Sequence, residues 1–119
     1  MDKRSLGQFG EEQAARYLRR RFYTILERNY RCRFGEIDLI AKRAGVLAFV
    51  EVKLRRDDQH GEAREFVTAR KQQRVMAAAQ LWLSQHETSL QPRFDVIEVY
   101  APRGEDGPVK IEHLANAFP

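Results

Sequence analysis

Between Gly35 and Arg55 the chain reads GEIDLIAKRAGVLAFVEVKLR, an apolar stretch that also carries Glu36, Asp38, Glu51 and Lys53. Ala44 and Gly45 divide it, and a two-residue turn there sets Asp38 opposite Glu51 and Glu36 opposite Lys53. Because side chains alternate along a strand, one face is predicted to carry Glu36, Asp38, Ile40, Phe49, Glu51 and Lys53. The other, with Ile37, Leu39, Ala41, Ala48, Val50 and Val52, reads as core. A four-residue loop keeps this register, whereas a three-residue loop shifts it by one unless a bulge restores it. Opposed like charges, with Cβ atoms about 4.5–5.5 Å apart, destabilise a strand pair. A divalent cation would compensate, since carboxylates, a main-chain carbonyl and waters make the hard oxygen environment that Mg²⁺ or Mn²⁺ takes. Lys53 would then stand beside the ion, placed to orient or help deprotonate a water and to steady negative charge on a phosphate. The competing reading pairs Glu51 or Glu36 with Lys53 in salt bridges across an exposed face. Ile40 and Phe49 on that face favour partial cover, under which an unpartnered acid pair is costly.

These residues need elements to position them. From Ser5 to about Arg21 the sequence reads as a helix, with Ser5 as N-cap, Gln8 completing a capping box, and Ala14, Ala15, Leu18 and Phe22 forming the core stripe. Glu11 lies on that stripe and Glu12 points elsewhere; an acid near a helix start is also an ordinary partner for the dipole. FYTILERNYR suits a first strand, and CRFG turns the chain into the hairpin, whose strands run from about Glu36 to Lys42 and from Val46 to Leu54. The charged stretch RRDDQHGEAREF reads as a loop. A second helix is predicted from about Thr68 to His86 on the spacing of Val75, Ala78, Ala79 and Trp82, with Lys71 one turn before Val75. RFDVIEVY is a strand, PRGEDGP a turn and PVKIEHL a last edge strand. Helix, three strands, helix, two strands predicts a mixed sheet flanked by helices, an α/β or α+β fold.

A chain of 119 residues is the size of one domain, 1–119. No apolar run approaches a membrane span, and MDKRSLGQFGEE lacks the apolar segment of a secretory signal, so the expected location is the cytoplasm. Cys32 is the single cysteine, which excludes an internal disulfide and a thiolate zinc cluster, and His60, His86 and His113 show no ligand spacing. Lys and Arg number 21 against 17 Asp and Glu, for a net charge of +4, which suits a polyanionic partner. RYLRRRF, RNYRCRF, KLRR and ARKQQR put cations around the hairpin, although any one such cluster is an ordinary solvated face.

Asp38, twelve intervening residues and Glu51-Val52-Lys53 match the D…E-x-K arrangement of the PD-(D/E)XK nuclease superfamily, and the element order is similar to its restriction-endonuclease-like core. From about Gly7 to Val99, GQFGEEQAARYL, ILERNYRCRFGEIDLIA, FVEVKLR, VTARKQQR and RFDVIEV resemble the successive motifs of the bacterial YraN (UPF0102) family. The resemblance implies a small cytoplasmic protein with a nuclease-like fold, similar in layout to archaeal Holliday junction resolvases, hydrolysing DNA with Mg²⁺ or Mn²⁺, branched or structured DNA included. Carried over by residue, Asp38 and Glu51 match the metal-binding acids, the Val52 carbonyl a third ligand, Lys53 the catalytic lysine and Glu11 the N-terminal helix acid. Lys71 or Gln72 falls where some members carry an accessory polar residue, and Ile37 replaces the proline of the motif name, which contributes no ligand. Arg55, Arg56, Lys71, Gln72 and Arg74 are the candidate nucleic-acid contacts, with binding expected to be steeply salt-dependent. A homodimer would bring a second site to a second strand. Two other readings stand beside this one: a non-catalytic nucleic-acid-binding module in repair, recombination or uptake, and a structural partner of another protein.

Overall fold

Helix α1 spans Lys3–Arg20, followed by β1 (Thr24–Cys32), β2 (Gly35–Arg43), β3 (Val46–Arg55), α2 (Ala69–Gln85), β4 (Gln91–Tyr100) and β5 (Lys110–Phe118), with a 3-10 turn at Gly104–Asp106. The structure, a computed structural model, describes residues 3–56 and 67–118, so most of the charged stretch predicted as a loop, His60 with it, lies outside the described residues. The order α-β-β-β-α-β-β is the expected one. The five strands form one sheet in the order β1-β2-β3-β4-β5, in which β3 and β4 run parallel and the other neighbours antiparallel. The parallel pair needs a crossover, and α2 lies within it. This is a mixed α+β fold with β5 at an edge, extended to Phe118 beyond the predicted PVKIEHL.

The hairpin register is as predicted. Arg43 pairs with Val46, and the ladder runs through Ile40 opposite Phe49 to Leu39 opposite Val50. The assignment of one face to core and the other to the site is corrected, because both faces are core along this ladder. Ala14, Ala15 and Leu18 of α1 share a cluster with Leu39, Ala41, Ala48, Val50, Ile97 and Val99. Val75, Ala78, Ala79 and Trp82 of α2 share another with Ile40, Leu47, Phe49 and Val96. Ile40 and Phe49 are fully buried, and the Phe49 ring meets Trp82 edge-on at 5.9 Å. Strands covered on both sides read as near-continuous apolar runs, which is why alternation marks the two sides without marking a solvated one.

The start of α1 is predicted from a capping residue, and that of α2 from helical spacing alone. Thr68 caps α2, its Oγ1 accepting the Lys71 N–H at 3.1 Å. Ser5 does not cap α1, which begins at Lys3 and takes Ser5 into its first turn. At the other end of α1, Phe22 leaves the predicted core stripe. It adopts φ 69° and is 86% exposed. Its N–H bonds the Arg19 carbonyl, and the Tyr23 N–H bonds the Leu18 carbonyl, both at 3.0 Å. That pair of bonds is a Schellman ending with Phe22 at the left-handed position, and the buried Tyr23 packs with Leu18 in its stead. Phe22→Gly is therefore expected to stabilise the protein by about 1 kcal/mol, since glycine adopts this conformation without Cβ crowding. Urea unfolding should show a higher midpoint at unchanged slope.

Candidate functional site

The site forms where the hairpin opens. Beyond Leu39 and Val50 the β2–β3 ladder stops, although β2 continues against β1 and β3 against β4. Asp38 and Glu51, expected as a ladder pair, are not one. Instead Asp38 Oδ2 accepts the Val52 backbone N–H at 2.8 Å, so a carboxylate takes the bond a neighbouring strand would have taken. The alternation of β2 breaks there too, since Ile37 packs with Ile40 on the α2 side rather than with Leu39. The same residue's carbonyl leaves a strand on the same side as its N–H, so the Val52 carbonyl faces the opening as well.

Burial, and after it the charge of Glu51, pushes the Asp38 carboxyl up to about 7, with Glu11 and Glu36 adding smaller repulsions and the Val52 bond opposing them. Glu51 is only 5% exposed, and its Oε2 is buried without a hydrogen-bond partner. Its Oε1 lies 3.3 Å from Lys71 Nζ and 3.7 Å from Lys53 Nζ. Two acids thus face one opening with a cationic rim on one side and an unsatisfied oxygen on the other. A buried carboxylate oxygen with no donor is costly, and a cation between the acids would relieve both strains. Among the described residues no three of His, Cys, Asp and Glu gather as a ligand set. The donor set that fits a hard divalent ion is therefore two carboxylates and a main-chain carbonyl, completed by water or substrate oxygens.

The remaining predicted residues divide between this opening and elsewhere. Glu11 approaches from α1, whose Gly10 is buried against Leu54 of β3, and its Oε2 accepts from Asn29 Nδ2 at 3.1 Å. It contributes to the field on Asp38 from that position. Glu36 is turned outward and pairs with Arg31 at 3.2 Å, not with Lys53. Lys71 reaches the acid pair itself. Gln72 donates to the Val67 carbonyl at 3.0 Å and ties down the entry to α2, while Arg74 Nε donates to the Phe34 carbonyl at 3.2 Å. Arg56 is exposed at the border of the described residues. Arg55 pairs with the fully buried Glu98 at 2.7 Å and so has a partner within the fold.

Two buried acids of β4 escaped the sequence reading. Glu98 is one, and its Oε2 lacks a partner. Asp95 is the other, held by Arg93 through both oxygens, by His113 Nε2 at 2.8 Å and by the Asn116 N–H at 3.0 Å. Burial alone would raise the Asp95 carboxyl, but the bonds from His113, Arg93 and Asn116 outweigh it and hold it near 2. The available signal was an acid inside a strand that is otherwise apolar, FDVIEVY.

Residues 10–99, which include all of these acids, match the family described as "Uncharacterised protein family UPF0102". A UPF0102 protein of Caldanaerobacter subterraneus subsp. tengcongensis is 42% identical over 119 residues, covering 99% of this chain and 98% of the relative. One of Nocardia farcinica is 48% identical over 118 residues (98% and 91%), and one of Symbiobacterium thermophilum 47% over 116 residues (97% of each). With a family match over most of its length and relatives of this identity along nearly all of it, the chain belongs to the UPF0102 family.

Proposed function

We propose that this protein is a Mg²⁺- or Mn²⁺-dependent nuclease that hydrolyses phosphodiester bonds in DNA, branched or structured DNA among its substrates, and that it works in the cytoplasm. The observation that carries this reading is the acid pair at the open end of a hairpin, with the buried, orphaned oxygen of Glu51 beside the half-buried Asp38, whose carboxyl is raised. Asp38, Glu51 and the Val52 carbonyl would hold the ion. When bound, the ion supplies charge compensation and Lewis acidity toward a phosphate. Asp38 is fixed in orientation by the Val52 N–H, and Glu51 by Lys53 and Lys71. Lys53 would orient an attacking water and stabilise charge on the phosphate, with Lys71 a second cation beside Glu51. Glu11 keeps the local field negative from outside the pair. A homodimer would present two such sites, one for each strand of a junction.

The test is calorimetric titration of Mn²⁺ into the wild type with a short non-cleavable duplex present, followed by a cleavage screen. Lys53→Ala is expected to retain Mn²⁺ binding and to lose about 10²–10³-fold in cleavage rate. Absence of Mn²⁺ binding would remove the nuclease reading. One observation favours a second reading, the non-catalytic nucleic-acid-binding module: Lys53 and Lys71 already bring two positive charges to Glu51. That reading expects salt-sensitive DNA binding that needs no divalent ion and survives Asp38→Asn.

A further inference from the structure

The turn between β1 and β2 exposes an aromatic ring among cations. Phe34 is 37% exposed, and the Arg33 guanidinium lies over its ring, 4.8 Å from the centroid. Among the described residues Arg33 has no carboxylate partner. Beneath the turn lies a cleft of about 310 Å³, lined by Arg31, Cys32, Gly35, Glu36, Lys71 and Arg74. Lys71 is also the lysine on Glu51, so one residue of the cleft wall touches the acid pair. The turn is clamped to α2. Arg74 Nε donates to the Phe34 carbonyl, and Gly35, at φ 156°, sits where a Cβ would come within 3.3 Å of Arg74 Cβ. Four cations, Arg31, Arg33, Lys71 and Arg74, thus gather around the turn, against Glu36, which pairs with Arg31, and Glu51, which pairs with Lys71.

We propose that the Arg33–Phe34 tip and the cleft below it bind an unpaired nucleotide of a DNA strand, with Phe34 stacking on the base and Lys71 and Arg74 meeting the neighbouring phosphates. A ring held on a fixed platform beside cations is the arrangement that single strands use, because every base offers a ring face and every nucleotide a phosphate. Paired bases in a duplex offer no free face inside the stack, so the tip selects single-stranded or locally opened DNA. The proposal rests on the nuclease reading only for the place where the strand is cut. Binding itself requires neither metal nor catalysis.

The experiment measures fluorescence anisotropy in EDTA at fixed low salt, with an end-labelled oligodeoxythymidylate of about 12 nucleotides and a duplex of the same length as probes. Wild type is expected to bind the single strand more tightly than the duplex. Phe34→Ala should lose about 5- to 100-fold in affinity for the single strand and leave duplex affinity unchanged, while Phe34→Tyr should stay near wild type. Melting temperatures of the two variants close to wild type would show that the fold is kept. Equal affinity of Phe34→Ala and wild type for the single strand, an equal loss on both probes, or no binding of either probe would overturn the proposal. Mn²⁺ calorimetry on the same preparations separates this from the nuclease reading: intact Mn²⁺ binding with no effect at Phe34 sinks the stacking site alone.

Discussion

Asp38→Asn is expected to abolish Mn²⁺ binding and cleavage and, at pH 8 without metal, to raise the melting temperature above that of the wild type. The asparagine Oδ1 can still accept the Val52 N–H, so the substitution removes a charge and keeps the bond that shapes the opening. What disappears is the repulsion that burial and Glu51 impose on an ionised Asp38. The folded-state carboxyl titrates near 7, above the ordinary value of 3.8. Folded wild type therefore holds its proton more tightly than the unfolded chain, and its stability falls as pH rises between about 4 and 7. The loss is complete above that window, where the variant has none to suffer. A shift of this size corresponds to about 4 kcal/mol at most. Partial exposure of Asp38 and the nearby lysines reduce the expected gain to about 1–2 kcal/mol, or several degrees in a domain of this size. At pH 4 the two proteins should melt together. Saturating Mn²⁺ should then reverse the order at pH 8, because ligand stabilises only the protein that binds it. Scanning calorimetry at both pH values, with and without Mn²⁺, checks all four corners. An Asp38→Asn protein that melts below wild type at pH 8 in EDTA would show that the pair is not repulsive, and the case for a cation there would lapse.

Much of this geometry is legible in the sequence because it depends on local rules. Ala44-Gly45 gives the hairpin register as far as Leu39 opposite Val50, and the spacing of Val75, Ala78, Ala79 and Trp82 gives α2 its buried stripe and Lys71 its place above Glu51. Alternation could not show where the ladder ends. That depends on Asp38 competing for a backbone N–H, a contest between side chain and strand that a two-residue period does not record. Phe22 failed for a similar reason: helical spacing extends a stripe indefinitely, whereas the helix ends by a left-handed residue that turns its side chain out. Arg55 was read as a phosphate contact because its partner, Glu98, lies 43 residues away on a strand whose position beside β3 only the fold reveals.

That last correction carries a large expected effect. Arg55→Ala should destabilise the protein by about 3 kcal/mol, because it strips the partner from a fully buried carboxylate. Glu98 already has one unsatisfied oxygen, and the residue opposite it on β5 is another acid, Glu112, which supplies no compensating charge. Lys53 is its neighbour across the β3–β4 pair but is engaged with Glu51. Against a total stability of about 5–15 kcal/mol, such a loss should lower the melting temperature by about 10–15 °C. Adding Glu98→Gln to Arg55→Ala should recover part of it by removing the stranded charge, and the pair Arg55→Met with Glu98→Leu should recover most, since well-packed apolar residues replace a buried ion pair at little cost. Urea unfolding of wild type, Arg55→Ala, Glu98→Gln and the Arg55→Ala/Glu98→Gln double variant measures the coupling directly. If Arg55→Ala instead unfolds within about 0.5 kcal/mol of wild type and binds DNA more weakly, then Arg55 is the phosphate contact that its place after E-x-K first indicated, and Glu98 is held by something other than that arginine.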